Sequence, residues 1–116
     1  MTRVVRAFPV LPGKRDALVR FFSELRARKA ELDEFYRAYG VSRESAHLQS
    51  TSHGELLIVC TDLAADASSS GKSYAIETAP FHAWFKANIL ELSGIDPNWQ
   101  PFGPESTCIS DWQDEE

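Results

Sequence analysis

The stretch that decides the fold is Val41-Ser42-Arg43-Glu44-Ser45-Ala46-His47-Leu48-Gln49-Ser50-Thr51-Ser52-His53-Gly54-Glu55-Leu56-Leu57-Ile58-Val59-Cys60-Thr61-Asp62. Val41 to Thr51 reads as a strand, Ser52-His53-Gly54 as a tight turn, and Glu55 to Asp62 as a second strand, so the stretch is a β-hairpin. Leu56 to Cys60 is apolar without alternation, the pattern of a strand covered on both faces. Upstream, Thr2 to Val10 is rich in β-branched and aromatic residues and is broken by Pro12-Gly13, which predicts another strand. Between it and the hairpin, Leu18, Phe21, Leu25, Leu32, Phe35 and Tyr39 recur at helical spacing, so one long amphipathic helix is expected from Lys14 to Tyr39, ended by Gly40. Downstream, Ala64 to Ser73 has the small, polar composition of a loop or frayed helical turn. A second main helix is expected from Pro80 to Ser93, with the stripe Phe81, Trp84, Phe85, Ile89 and Leu92, and with Gly94 at its end. A proline-rich connection then leads to a last strand from Ser106 to Trp112, and the acidic tail should fray.

The order strand, helix, hairpin, helix, strand is the split βαβ arrangement, an α+β fold of the ferredoxin-like βαββαβ kind. It predicts a four-stranded antiparallel sheet with two helices on one face. At 116 residues the whole chain, 1–116, is expected to be a single ferredoxin-like domain. Apolar side chains of Val4-Val5, Ala7-Phe8 and Leu56 to Cys60 point to both faces of that sheet, and the face away from the helices needs a cover. Exposing such side chains forfeits roughly 1.5 to 3 kcal/mol each. A second copy laid sheet against sheet is the simplest cover, so a homodimer is expected.

The formal net charge of -5 provides no general basic field for phosphates, which argues against a nucleic-acid partner. The positively biased stretch from Lys14 to Lys29 is interleaved with Asp16 and Glu24 and reads as the solvated side of a helix. No apolar run has the ~18 residues a membrane span needs, and the first residues lead directly into a strand pattern, so a cytoplasmic protein is expected. Cys60 and Cys108 each lie in an apolar strand-like run and are expected to be buried free thiols. Neither has the spacing of a metal ligand, and no metal or other cofactor is expected.

The βαββαβ order, the hairpin from Ala46 to Val59 and the helix opening Pro80-Phe81-His82-Ala83-Trp84-Phe85 resemble the dimeric α/β-barrel superfamily. The Pro-Phe-x-x-Trp-Phe and Gly-Ile-Asp segments are similar to a bacterial branch of it with no assigned reaction. The resemblance implies a fold and a dimer more than a reaction, because the superfamily includes cofactor-independent monooxygenases, haem-handling enzymes, isomerase-like proteins and regulatory ligand-binding modules. The Asn, Trp and His set of its haem-degrading and quinone-oxidising branches has no counterpart here: the first strand lacks Asn, and His82 stands too close before Trp84.

Candidate site residues follow from strand parity. Ala46 and Leu48 should face the helices, which turns His47 and Gln49 toward the barrel interior. If Arg6 and Phe8 share that interior, then Arg6, Phe8, His47 and Gln49, with Trp112 as a further candidate, line an apolar cavity with a few convergent polar groups. His47 could act there as a general base beside an Arg that stabilises a carboxylate or enolate. His47 and Gln49 are equally readable as edge-strand polar groups bonding water. His82, near a helix N-terminus, could face the mouth of the cleft or simply be exposed. Trp84 could meet a ligand, although its spacing is that of core packing, and His53 belongs to the turn. Gly71-Lys72-Ser73 resembles the end of a phosphate-binding loop, but Asp66 stands where that motif needs Gly. Three functional readings remain from sequence: a binder of a small, partly apolar organic molecule, a cofactor-independent monooxygenase or isomerase-like enzyme, and a structural or regulatory interaction module.

Overall fold

The computed structural model describes residues 2–64, 79–100, 103–104 and 106–114. Its elements are β1 (Thr2–Pro9), α1 (Arg15–Ala27), α2 (Lys29–Ala38), β2 (Val41–Thr51), β3 (Gly54–Leu63) and α3 (Pro80–Ser93). The three strands form an antiparallel sheet in the order β1-β3-β2. The apolar run of Leu56 to Cys60 is therefore the central strand, as its lack of alternation requires. Opposite partners across β1 and β3 include Phe8 with Leu57, Arg6 with Val59 and Val4 with Thr61. Across β2 and β3, Leu48 faces Leu57, Ala46 faces Val59 and Glu44 faces Thr61.

These rows define the sheet face that the helices cover. Phe8 and Leu57 form one core with Leu18, Phe21 and Leu25 of α1, Phe35 of α2 and Phe81 and Leu92 of α3, joined by Tyr39 just beyond α2. Leu25, 2% exposed, is the most enclosed of the large side chains. The aromatic groups interlock edge to face: the Phe35 ring centre lies 5.4 Å from that of Phe81 and 5.2 Å from that of Tyr39. Such pairs add about 0.5–1.5 kcal/mol beyond the area they bury. Helix α3 begins with Pro80 and ends at Gly94, whose φ of 76° accommodates the left-handed cap; its N–H donates to the Leu90 carbonyl at 2.8 Å.

Three expectations are corrected. The long helix is two helices, broken at Arg28, where φ is -100° and ψ 43°. The break involves neither Gly nor Pro. The Arg28 N–H bonds both the Glu24 and Leu25 carbonyls, while its guanidinium lies over the Trp84 and Phe81 rings, 4.4 and 4.9 Å from their centres, and also bonds Glu31. The final strand does not form: residues 106–114 pair with no strand and are exposed, Ile109 at 94% and Trp112 at 81%. The segment nonetheless lies beside the outer edge of β1, where the Ser106 hydroxyl donates to the Val5 carbonyl. Cys108 is accordingly exposed and Cys60 only half-buried; both are free thiols. The expectations for Ala64 to Ser73, the Gly71-Lys72-Ser73 segment included, fall outside the described residues after Ala64. Among the described residues no helix is long and apolar enough to cross a membrane.

Candidate functional site

A cavity of about 100 Å³ lies between the helices and the covered sheet face, walled mainly by Phe8, Phe22, Phe35, Leu57, Val59, Phe85 and Ile89. Two charged side chains enter this apolar space, Arg6 from β1 and Glu44 from β2. They reach it for the same reason. Arg6 shares parity with Val4 and Phe8, and Glu44 shares parity with Ala46 and Leu48, so both side chains project toward the helices. A bulge between Val41 and Arg43 shifts the register by one residue, which lets Val41 line the cavity along with Glu44.

The carboxyl group of Glu44 is held at both oxygens. Tyr36 Oη donates to Oε2, and Thr61 Oγ1 donates to Oε1 at 3.0 Å. Burial pushes its pKa above the ordinary carboxylate range, and the hydrogen bonds from Tyr36 and Thr61 offset only part of that rise. Arg6 presents a complementary imbalance: its Nε is buried and has no hydrogen-bond partner among the described residues. Leaving a buried donor unmet costs about 1–3 kcal/mol, more for a charged group. In the sheet the two residues are two strands and two residues apart, or ~12 Å between Cα atoms. Two side chains pointing the same way at that separation leave room between their tips for a small molecule.

A second, more open groove of about 360 Å³ runs between α1, α2 and β2 and shares Phe22, Tyr36, Glu44 and Leu57 with the cavity. Glu44 therefore stands between an outer groove, with Arg26 at its rim, and the inner cavity. On the other side, Gln100 and Gly103 of the connection after α3 close the cavity against β1. A Cβ at Gly103 would come within 2.2 Å of the Phe8 ring, and its φ is 85°, so only glycine permits that approach.

The sequence-derived residues divide between two faces. Arg6 and Phe8 line the inner cavity. His47 is opposite Ile58 and Gln49 opposite Leu56, on the face that no helix among the described residues covers, so the sheet separates them from Arg6 and Phe8. His47 borders the outer groove, and its Nε2 meets Ser45 Oγ at 3.0 Å, two residues along the same face. Trp112 is exposed and away from the cavity lining. Trp84 packs on Phe21 at 5.3 Å and under Arg28, and His82 lies against Phe35 at 4.8 Å with its Nδ1 buried and unpaired. Neither borders the cavity. No group of His, Cys, Asp or Glu among the described residues could hold a metal ion. Glu44, Tyr36 and Thr61 were not singled out by motif reasoning. The signal was there in Glu44: an acid at the same parity as Ala46 and Leu48 must face the helices.

No family model, curated protein or solved structure matches the chain.

Proposed function

We propose that this protein binds a small, partly apolar organic molecule in the cavity between its helices and its sheet. The observation that carries the reading is the buried Nε of Arg6, unpaired in an otherwise apolar space that also receives Glu44. A few convergent polar groups in an apolar enclosure are the usual composition of a small-molecule site. The volume of about 100 Å³ is below the about 150 Å³ of an engineered cavity that accepts benzene, which limits the ligand to a short branched chain or a single small ring. The test is a thermal-shift screen of small aromatic and branched aliphatic compounds. A ligand at a hundred times its dissociation constant adds about 2.7 kcal/mol of stability, and Arg6→Leu should abolish the shift from the best binders. If no such compound raises the melting temperature, the binding reading fails.

An enzyme of the same shape, a cofactor-independent monooxygenase or isomerase, is the second reading. It is favoured by Glu44, a buried carboxyl with a raised pKa in a cavity that Arg6 also lines, which is a suitable general base. Turnover of phenols, quinols and enolisable acids under oxygen separates the two. His47 and Gln49 enter either reading only through a dimer. A second copy on the uncovered face, which also carries Val5, Ile58 and Cys60, would enclose both residues between two sheets.

A further inference from the structure

We infer that the ligand of the inner cavity is a small apolar monocarboxylate, its anion paired with Arg6, and that Glu44 is its proton-coupled second contact. This rests on the cavity-binding reading and deepens it. The charge of the ligand follows from Arg6, the guanidinium that enters this space, whose unmet Nε belongs to the side-on edge with which arginine engages a planar carboxylate through two parallel hydrogen bonds. One guanidinium and an apolar wall suit one negative charge. A phosphate, larger and more highly charged, would bring oxygens that Phe22, Phe35 and Phe85 cannot satisfy.

Glu44 decides the pH dependence. An ionised Glu44 and a ligand carboxylate in one apolar space repel each other, whereas a protonated Glu44 donates a hydrogen bond. Its surroundings permit the protonated form, because Tyr36 and Thr61 are neutral hydroxyls that can go on donating to the lone pairs of the acid and leave its one proton for the ligand. The charged and titratable groups that line the same cavity and groove as Glu44 are Arg6 from β1, Arg26 from α1, Tyr36 and Tyr39 from α2 and its end, and His47 on its own strand; α3 contributes Phe85 and Ile89. His47 faces away from Glu44, bonded to Ser45. Binding of the anion therefore takes up a proton at Glu44 and tightens as pH falls.

The experiment is calorimetric titration of the full chain with benzoate, ionised throughout, and with benzamide, its neutral counterpart of the same shape. Benzoate should bind at least about fivefold tighter at about pH 5.5 than at about pH 8, with proton uptake seen as a buffer-dependent heat, while benzamide shows neither effect. Glu44→Gln, which mimics the protonated acid, should hold benzoate affinity at its low-pH value across that range. Arg6→Gln should weaken benzoate at least about tenfold and benzamide much less. Arg6→Lys retains the charge without the Nε, and serves if the glutamine variant does not fold; it too should lose most of the benzoate affinity. Benzamide binding as tightly as benzoate, or pH-independent benzoate binding in the unaltered protein, overturns the inference while leaving the cavity reading intact. Absence of binding by both probes also overturns it, and the cavity reading falls with it only if indole and cyclohexanol leave the melting temperature unchanged.

Discussion

Glu44 occupies a position where the alternation of β2 calls for an apolar side chain, and its consequences reach stability as well as binding. Its folded-state pKa is raised, so between the ordinary carboxylate value, about 4.3, and the raised value the folded chain binds more protons than the unfolded chain. Stability should therefore fall as pH rises through that window, the opposite sign to a salt-bridged acid such as Asp62, whose pKa is lowered by the hydrogen bond from Arg3. Denaturant titrations of Glu44→Gln across the same range should lose that slope, and an unchanged slope would place the titrating group elsewhere. Gly103 provides a second test at this scale. Gly103→Ala drives a methyl into the Phe8 ring, which should cost about 1–3 kcal/mol by overpacking and narrow the cavity, read as a lower unfolding midpoint and weaker ligand binding. Neither residue stood out in the sequence, because a lone Glu or Gly carries no motif. Arg6 did stand out, and with Phe8, but the interior they share was taken to be the face of His47, and the structure puts His47 on the opposite side of the sheet.

The elements were legible where local signals agreed with packing. The hairpin, the strand before it and the helix from Pro80 to Gly94 have apolar patterns bounded by turn or cap residues, and each stands where those signals place it. The break at Arg28 had no such signal, since the spacing from Leu25 to Leu32 suits a continuous helix; only the tertiary pull of Phe81 and Trp84 on its guanidinium marks the site. Ser106 to Trp112 follows a proline-rich connection and holds a short apolar run at Cys108-Ile109, which reads as a strand, yet such a run becomes a strand only if an edge zips onto it, and here one Ser106 bond reaches β1. Two measurements follow. Cys108 should react rapidly with a bulky thiol reagent in the native protein and Cys60 much more slowly, as read by mass spectrometry, given their exposed and half-buried positions; equal protection of both would mean that the last segment is paired. Leu25→Ala, in the most enclosed part of α1, should cost about 2–5 kcal/mol by chemical denaturation without affecting that labelling contrast at low denaturant.

At the scale of the whole molecule, the two faces of the sheet differ sharply. One carries the core and the cavity; the other holds Val5, 41% exposed, with Leu56, Ile58 and Cys60 of the central strand only half-buried. Around these stand Ser45, His47 and Gln49 on β2 and the Arg3–Asp62 ion pair, whose nitrogen and oxygen are 2.9 Å apart. An apolar strip on a central strand, edged by polar groups, is the surface expected of a contact between copies. The uncovered face therefore predicts that the 13.0 kDa chain sediments at about twice its mass at micromolar concentration. Ile58 lies at the centre of that face and outside the core, so Ile58→Asp should give a folded monomer whose melting temperature becomes independent of concentration. The same substitution leaves the inner cavity untouched, and benzoate should bind the monomeric variant as it binds the parent. A parent protein that sediments as a monomer would remove the sheet-to-sheet dimer, and with it any role for His47 and Gln49 between two copies, while Arg6 and Glu44 would keep theirs.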